Sequence, residues 1–173
     1  MISKVHPLFV KAILVISYEK CPYIGPSVIS RNSFSSDEEF RNALGYKKKN
    51  SVWESFEVYS ERMCGIVGLC AGIICTETNV FFPISRGWEW LANLLNRKPE
   101  KISALLISVF LEIAGYSLMR KYRNQFIKLL QYIKDRYLNK TGNLNISAST
   151  RLEILVDSTL NGFGLHEKPE GIL

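Results

Sequence analysis

Apolar residues in this chain recur every three or four positions, and the two-residue alternation of a half-buried strand is nearly absent. The first such run follows His6-Pro7, with proline in the tolerated first turn of a helix. It reaches Lys20, where Pro22, Gly25 and Pro26 stop it. After a loop to Ser35, SSDEEFRNALG reads as a complete short helix, with a serine cap, acids in the first turn and Gly45 as terminator. YKKKNSVWE reads as a polar loop carrying Lys47, Lys48 and Lys49. A third helix is predicted from about Phe56 to Thr76, a fourth over RGWEWLANLLN, and a last one from about Ser149 to Asn161, closed by Gly162.

Residues 100 to 138 are helical in pattern but too long for one globular helix, and Gly115 is a candidate hinge. Leu118, Tyr122, Phe126, Leu129, Ile133 and Tyr137 share one face there and predict a buried stripe. In the third helix Gly65, Gly68 and Gly72 alternate with Cys64, Ala71 and Cys75. Each glycine costs a helix about 1 kcal/mol, so close approach of a neighbouring helix is expected to offset it. Trp88 and Trp90, two apart, point to different sides, which predicts one in the core and one partly exposed. Successive amphipathic helices with short loops predict an all-α stack in which helix pairs bury faces against their neighbours.

Composition narrows the class. At 173 residues the chain fits one domain and can bury a sizeable core, and 47% hydrophobic with 22% charged residues is ordinary for a globular protein. A net charge of +6 suits an anionic partner such as phosphate, nucleic acid or an acidic protein face. Cys21, Cys64, Cys70 and Cys75 form no C-x-x-C pair, so free, reduced thiols are expected, with no metal site. The apolar runs at 8–16 and 63–75 read as core helices, the second too short to span a bilayer, and no membrane insertion is expected.

Catalysis finds no support. A nucleophile needs a base within reach and a group to orient it. His6 sits at a helix start, His166 in a glycine-rich tail, and no G-x-S-x-G, H-E-x-x-H, P-loop or dinucleotide fingerprint occurs. Between 120 and 136, Arg120, Lys121, Arg123, Lys128, Lys134 and Arg136 face a single acid, Asp135. This surface is either a solvated outer face or a site for an acidic partner or RNA. The stacking aromatics that RNA readers use lie on the opposite side in this reading.

Several stretches together resemble one family. KCPY, ERMCGIVGL, GWEWLANLLN, FLEIAGYSLMRKYRNQFIKLLQYIKD and RLEILVDSTL followed by KPEGIL resemble, in order and spacing, the C-terminal domain of the GLE-one nucleoporin family of messenger-RNA export mediators. The resemblance implies a single helical domain over 1–173, a HEAT-like stack of antiparallel helix pairs. It implies a non-enzymatic protein at the cytoplasmic face of the nuclear pore that stimulates a DEAD-box RNA helicase by holding its two RecA-like domains apart. Inositol hexakisphosphate would tether the two, and an FG-repeat nucleoporin and translation initiation factors would be further partners.

In that family a pair of lysines before Cys-Pro helps hold the polyphosphate. Lys20 matches the second, whereas Glu19 stands in place of the first, and Cys21 reads as a packing residue. The family's upstream helices and coiled coil, which carry other polyphosphate ligands, precede the position matching Met1, so weak inositol hexakisphosphate binding and an uncovered apolar face on the first helix are expected. Lys47, Lys48, Lys49, Arg120, Lys121, Arg123 and Lys128 are the candidate partner or anion surface. The alternative is a basic helical adaptor for RNA or initiation factors that has lost the polyphosphate site.

Overall fold

The computed structural model describes residues 7–25, 29–76, 83–163 and 165. His6, His166 and KPEGIL lie outside them. The described residues form α1 (Pro7–Lys20), α2 (Asp37–Ala43), a hairpin of β1 (Lys48–Lys49) and β2 (Val52–Trp53), α3 (Phe56–Cys75), α4 (Ile84–Asn96), α5 (Ser103–Tyr122), α6 (Asn124–Tyr132), a π turn (Ile133–Tyr137), α7 (Leu138–Thr141) and α8 (Ile146–Leu160). The all-α prediction holds. Contacts divide the chain into two compact units, 1–70 and 71–173.

In the first unit α1 buries Val10, Leu14, Ser17 and Cys21, a stripe at helical spacing. Its other face is also apolar: Leu8, Phe9, Val15 and Ile16 are each at least half exposed, which matches the uncovered face expected above. Helix α2 starts as predicted, with the Ser36 side chain accepting from the Glu39 N–H and Glu39 reaching back to the Ser35 N–H at 3.0 Å. Gly45 ends it at φ +81°. The polar loop predicted after it is instead a tight antiparallel hairpin, in which Lys48 pairs with Trp53 and Lys49 with Val52. Its turn residues Asn50 and Ser51 both have positive φ (49° and 64°), the mirror-image turn that matches strand twist.

Helix α3 carries the chain from one unit into the other. Extended to Phe56, it is long and apolar enough to cross a membrane by length and composition, as is α5, although residues 63–75 alone are too few. Both have buried faces within the protein. The expected helix contact at its glycines is not found at Gly65 or Gly72, where an added Cβ would meet nothing within 4 Å.

The second unit is built around α5, whose Leu106, Ile107, Leu111 and Leu118 are fully buried. Helix α4 crosses it with Trp88 on Tyr122 (4.5 Å between rings) and Trp90 on Phe110 (4.4 Å). Both tryptophans are half-buried on α5 aromatics, rather than one inside and one out. Gly87 lets Phe110 approach to 3.1 Å from where a Cβ would sit. Helix α8 begins three residues earlier than predicted, because the Asn145 side chain accepts from the Ala148 N–H and caps it.

The long 100–138 segment breaks at Arg123, with φ 43° and ψ −115°, and not at Gly115, which lies buried inside α5. The predicted stripe is buried at Leu118, Phe126, Ile133 and Tyr137, but Leu130 replaces Leu129 as the buried leucine.

Candidate functional site

In the first unit the candidate site forms where α1 ends. The Cys21 N–H donates to Ser17 O (2.9 Å) and the Ile24 N–H to Cys21 O (3.2 Å), closing the helix into a turn. Gly45, free of a side chain, brings the end of α2 against the Lys20 carbonyl, which lies 3.5 Å from the position of an added Cβ. Beside it, Tyr59 is buried, donates to Leu44 O (2.9 Å) and stacks on Tyr46 at 3.7 Å. Arg62 donates to Gly45 O (2.8 Å) and pairs with Glu54, which also accepts from the Lys47 N–H (2.7 Å). These bonds tie the end of α2 to α3, and Gly45 sets that end against Lys20, whose side chain is exposed. Lys20 stands at a helix C-terminus, where a cation complements the dipole, and exposed Glu19 precedes it.

The three hairpin lysines have different fates. Lys48 pairs with Glu38 (2.7 Å) and lies 5.2 Å from the Trp53 ring centre, while Arg41 stacks on the same ring. Lys47 and Lys49 extend into solvent.

Cys21 is fully buried, and burial pushes its thiol up to about 11; burial likewise raises Cys70 and Cys75. None of the four cysteines stands in a disulfide. Because the thiolate is the reactive form, native protein at pH 8 is expected to show one fast thiol toward a disulfide reagent, half-buried Cys64. Denaturation should then release all four groups. Fast labelling of Cys21 in native protein would contradict its buried role. Its folded pKa lies above the unfolded one, so the stability it contributes is complete below about pH 9. That contribution is lost as pH rises through about 11.

In the second unit the predicted cations do not converge on one point. Arg120 and Lys121 line a cleft of about 390 Å³ with Ile74, Cys75, Thr76, Pro83, Ile84 and Ser117. The Arg120 guanidinium also lies 5.9 Å from the Tyr116 ring centre. Arg123 occupies a backbone region that favours glycine, a strain of about 1–3 kcal/mol. Lys128 projects from α6 into solvent. The sequence reading missed Tyr132, which is 38% exposed on the cationic side of α6. Among the described residues no cluster of His, Cys, Asp or Glu could hold a metal ion.

The family model described as GLE1-like protein matches residues 1–134. The mRNA export factor Gle1 of Drosophila melanogaster is 32% identical over 163 residues, covering 88% of this chain and 24% of that protein. The mRNA export factor GLE1 of Danio rerio is 33% identical over 144 residues, 79% of this chain and 21% of that protein. This chain therefore spans about a quarter of the length of these relatives. A chain in a solved Saccharomyces cerevisiae complex, a variant Dbp5 C-terminal domain bound to Gle1 and IP6, matches with a TM-score of 0.81 and 23% identity, covering 95% of this chain and 58% of that one. At that identity the likeness shows the fold. A second such complex, with a variant Gle1, matches with a TM-score of 0.78 and 25% identity over 93% of this chain and 57% of that one.

Proposed function

This chain belongs to the GLE1-like protein family, and on that premise we propose that it serves mRNA export as a non-catalytic scaffold that engages and stimulates a DEAD-box RNA helicase. Inositol hexakisphosphate bridges the two proteins in this reading, and residues 1–173 act as the C-terminal, helicase-activating part. The cytoplasmic face of the nuclear pore is the place of action, with an FG-repeat nucleoporin and translation initiation factors as further partners. The observation that carries the proposal is the fold shared with a chain of a complex containing Gle1, a Dbp5 domain and IP6, together with the exposure of Lys20 at the end of α1. An activator of this kind acts by binding the open arrangement of its partner more tightly than the closed one. The decisive assay is helicase ATPase rate with and without this chain, each with and without inositol hexakisphosphate. No stimulation under any of these conditions would overturn the reading.

The polyphosphate part of the proposal carries its own test. A polyphosphate needs several convergent cations, since one exposed ion pair contributes only about 0–1 kcal/mol and is screened by salt. Lys20 supplies one cation and Glu19 an opposing charge. Calorimetry at fixed salt is expected to show weak binding. Lys20→Ala should weaken it by up to about fivefold, the weight of one exposed pair. Glu19→Lys, which removes a repulsion and adds an attraction, should tighten it about tenfold. Tight binding insensitive to both changes would move the ligand elsewhere. Glu19 also favours the second reading, an adaptor for RNA or initiation factors that keeps its partner contacts without the polyphosphate.

A further inference from the structure

The π turn does something to the basic surface that a plain helix could not. Lys128, Tyr132, Arg136 and Lys140 are spaced four apart through α6, the π turn and α7, and all four are exposed. In an α-helix four residues overshoot a full turn by about 40°, so three such steps would swing Lys140 about 120° away from Lys128. The π turn over Ile133–Tyr137 is closed by the Leu138 N–H donating to Ile133 O, five residues back. Its wider winding cancels part of the overshoot, so the four side chains fall much closer to one column than the 120° fan of a plain α-helix. The column is about 18 Å long with a step of about 6 Å, set by the helical rise.

The other charges nearby leave this column cationic. Lys134, off the column, is held 2.8 Å from Asp157 on α8, and that carboxylate raises the lysine's pKa, with Asp135 and Glu153, the latter also on α8, adding to it. Asp135 is the single acid between Asn124 and Thr141, and it sits beside the column, adjacent to Arg136. Tyr132, 38% exposed, stands between Lys128 and Arg136 and offers the one aromatic ring of the column.

We propose that Lys128, Tyr132, Arg136 and Lys140 form a binding strip for single-stranded RNA, the cations tracking the phosphates and the Tyr132 ring stacking on a base. A row of cations alone would suit an acidic peptide equally well. The exposed aromatic in register with the row is the feature that a splayed single strand uses and that a duplex, with its bases stacked inside, cannot reach. The choice of RNA over DNA rests on the export reading; the strip itself does not.

The test is fluorescence anisotropy of a short labelled oligouridylate with the full chain, in the absence of helicase and inositol hexakisphosphate. A failure here therefore leaves the helicase reading untouched, and the converse also holds. Three phosphate contacts predict a slope of log affinity against log salt near about −2, and Arg136→Ala should reduce its magnitude by about 0.7. Tyr132→Ala should weaken binding about five- to hundredfold, and Tyr132→Phe, which keeps the ring, should bind nearly as the parent. The triple change of Lys128, Arg136 and Lys140 to alanine should abolish binding while leaving the circular-dichroism melt unchanged, because all three side chains are solvated. A matching duplex or polyglutamate should compete poorly. No binding at low salt overturns the proposal. So does binding indifferent to Tyr132→Ala and displaced equally by polyglutamate, which would assign the strip to an acidic protein face. A deoxyoligonucleotide bound more tightly than the RNA overturns the choice of RNA.

Discussion

Replacing Phe126 by alanine is expected to lower the unfolding free energy by about 3–5 kcal/mol, the range for a fully buried phenylalanine. Phe126 has no exposed surface and stands in the first turn of α6, where the chain restarts after the break at Arg123. For a chain of this size the loss corresponds to a fall in melting temperature of about 10 °C. Gln125→Ala, next to it and exposed, should stay within about 0.5 kcal/mol. The leucines one turn on sharpen the test. Leu130 is fully buried and Leu129 half-buried, so Leu130→Ala should cost about 2–5 kcal/mol and Leu129→Ala clearly less. The reverse order in urea denaturation, with Leu129→Ala the costlier change, would mean that the helix turns with the phase read from sequence alone.

That phase difference shows what the sequence could and could not reveal. Helix positions were legible wherever a cap or terminator stands beside a periodic run: Pro7 at the start of α1, Ser36 and Gly45 around α2, and Gly162 (φ +88°) after α8. The hairpin at 48–53 was not legible. Two-residue strands are shorter than any periodicity, and the turn pair Asn50-Ser51 lacks the glycine that signals a mirror-image turn. The break at 123 misleads for a related reason. Glycine is the residue a reader expects at a left-handed position, yet Arg123 takes it and the nearby Gly115 stays helical.

Of the candidate site, the fully buried Cys21 followed from its company, whereas Lys20 became a candidate only through family resemblance. Nothing in its local pattern separates it from any lysine at a helix end. Tyr132 was passed over because it lies off the predicted stripe, and the π turn that aligns Arg136 and Lys140 with it leaves no mark on composition or spacing. The glycines of α3 carry the opposite lesson. Their spacing reads as a packing seam, but the neighbour that such a seam requires is missing at Gly65 and Gly72. Small residues at helical intervals permit close approach without compelling it.

Gly115 owes its identity to packing, and a double-mutant cycle is expected to show it by a change of sign. A Cβ at this position would fall 2.4 Å from Leu165 Cδ1 and 3.0 Å from its Cγ, closer than carbon atoms approach. Leu165 is 6% exposed, so its side chain is seated against α5 and cannot simply swing into solvent without losing that burial. Gly115→Ala should therefore destabilise the parent protein by about 1–3 kcal/mol, as overpacking does, despite alanine's better helix propensity. Leu165→Ala alone should cost about 2–5 kcal/mol. In the Leu165→Ala background the clash is gone, and Gly115→Ala should then stabilise by up to about 1 kcal/mol, the propensity gain alone. The coupling between the two sites is the quantity measured; effects of each change that do not involve the other residue cancel in the cycle. If Gly115→Ala were stabilising in both backgrounds by the same amount, Leu165 would not be seated on α5, and the contact that closes the second unit at its C-terminal end would have to be abandoned.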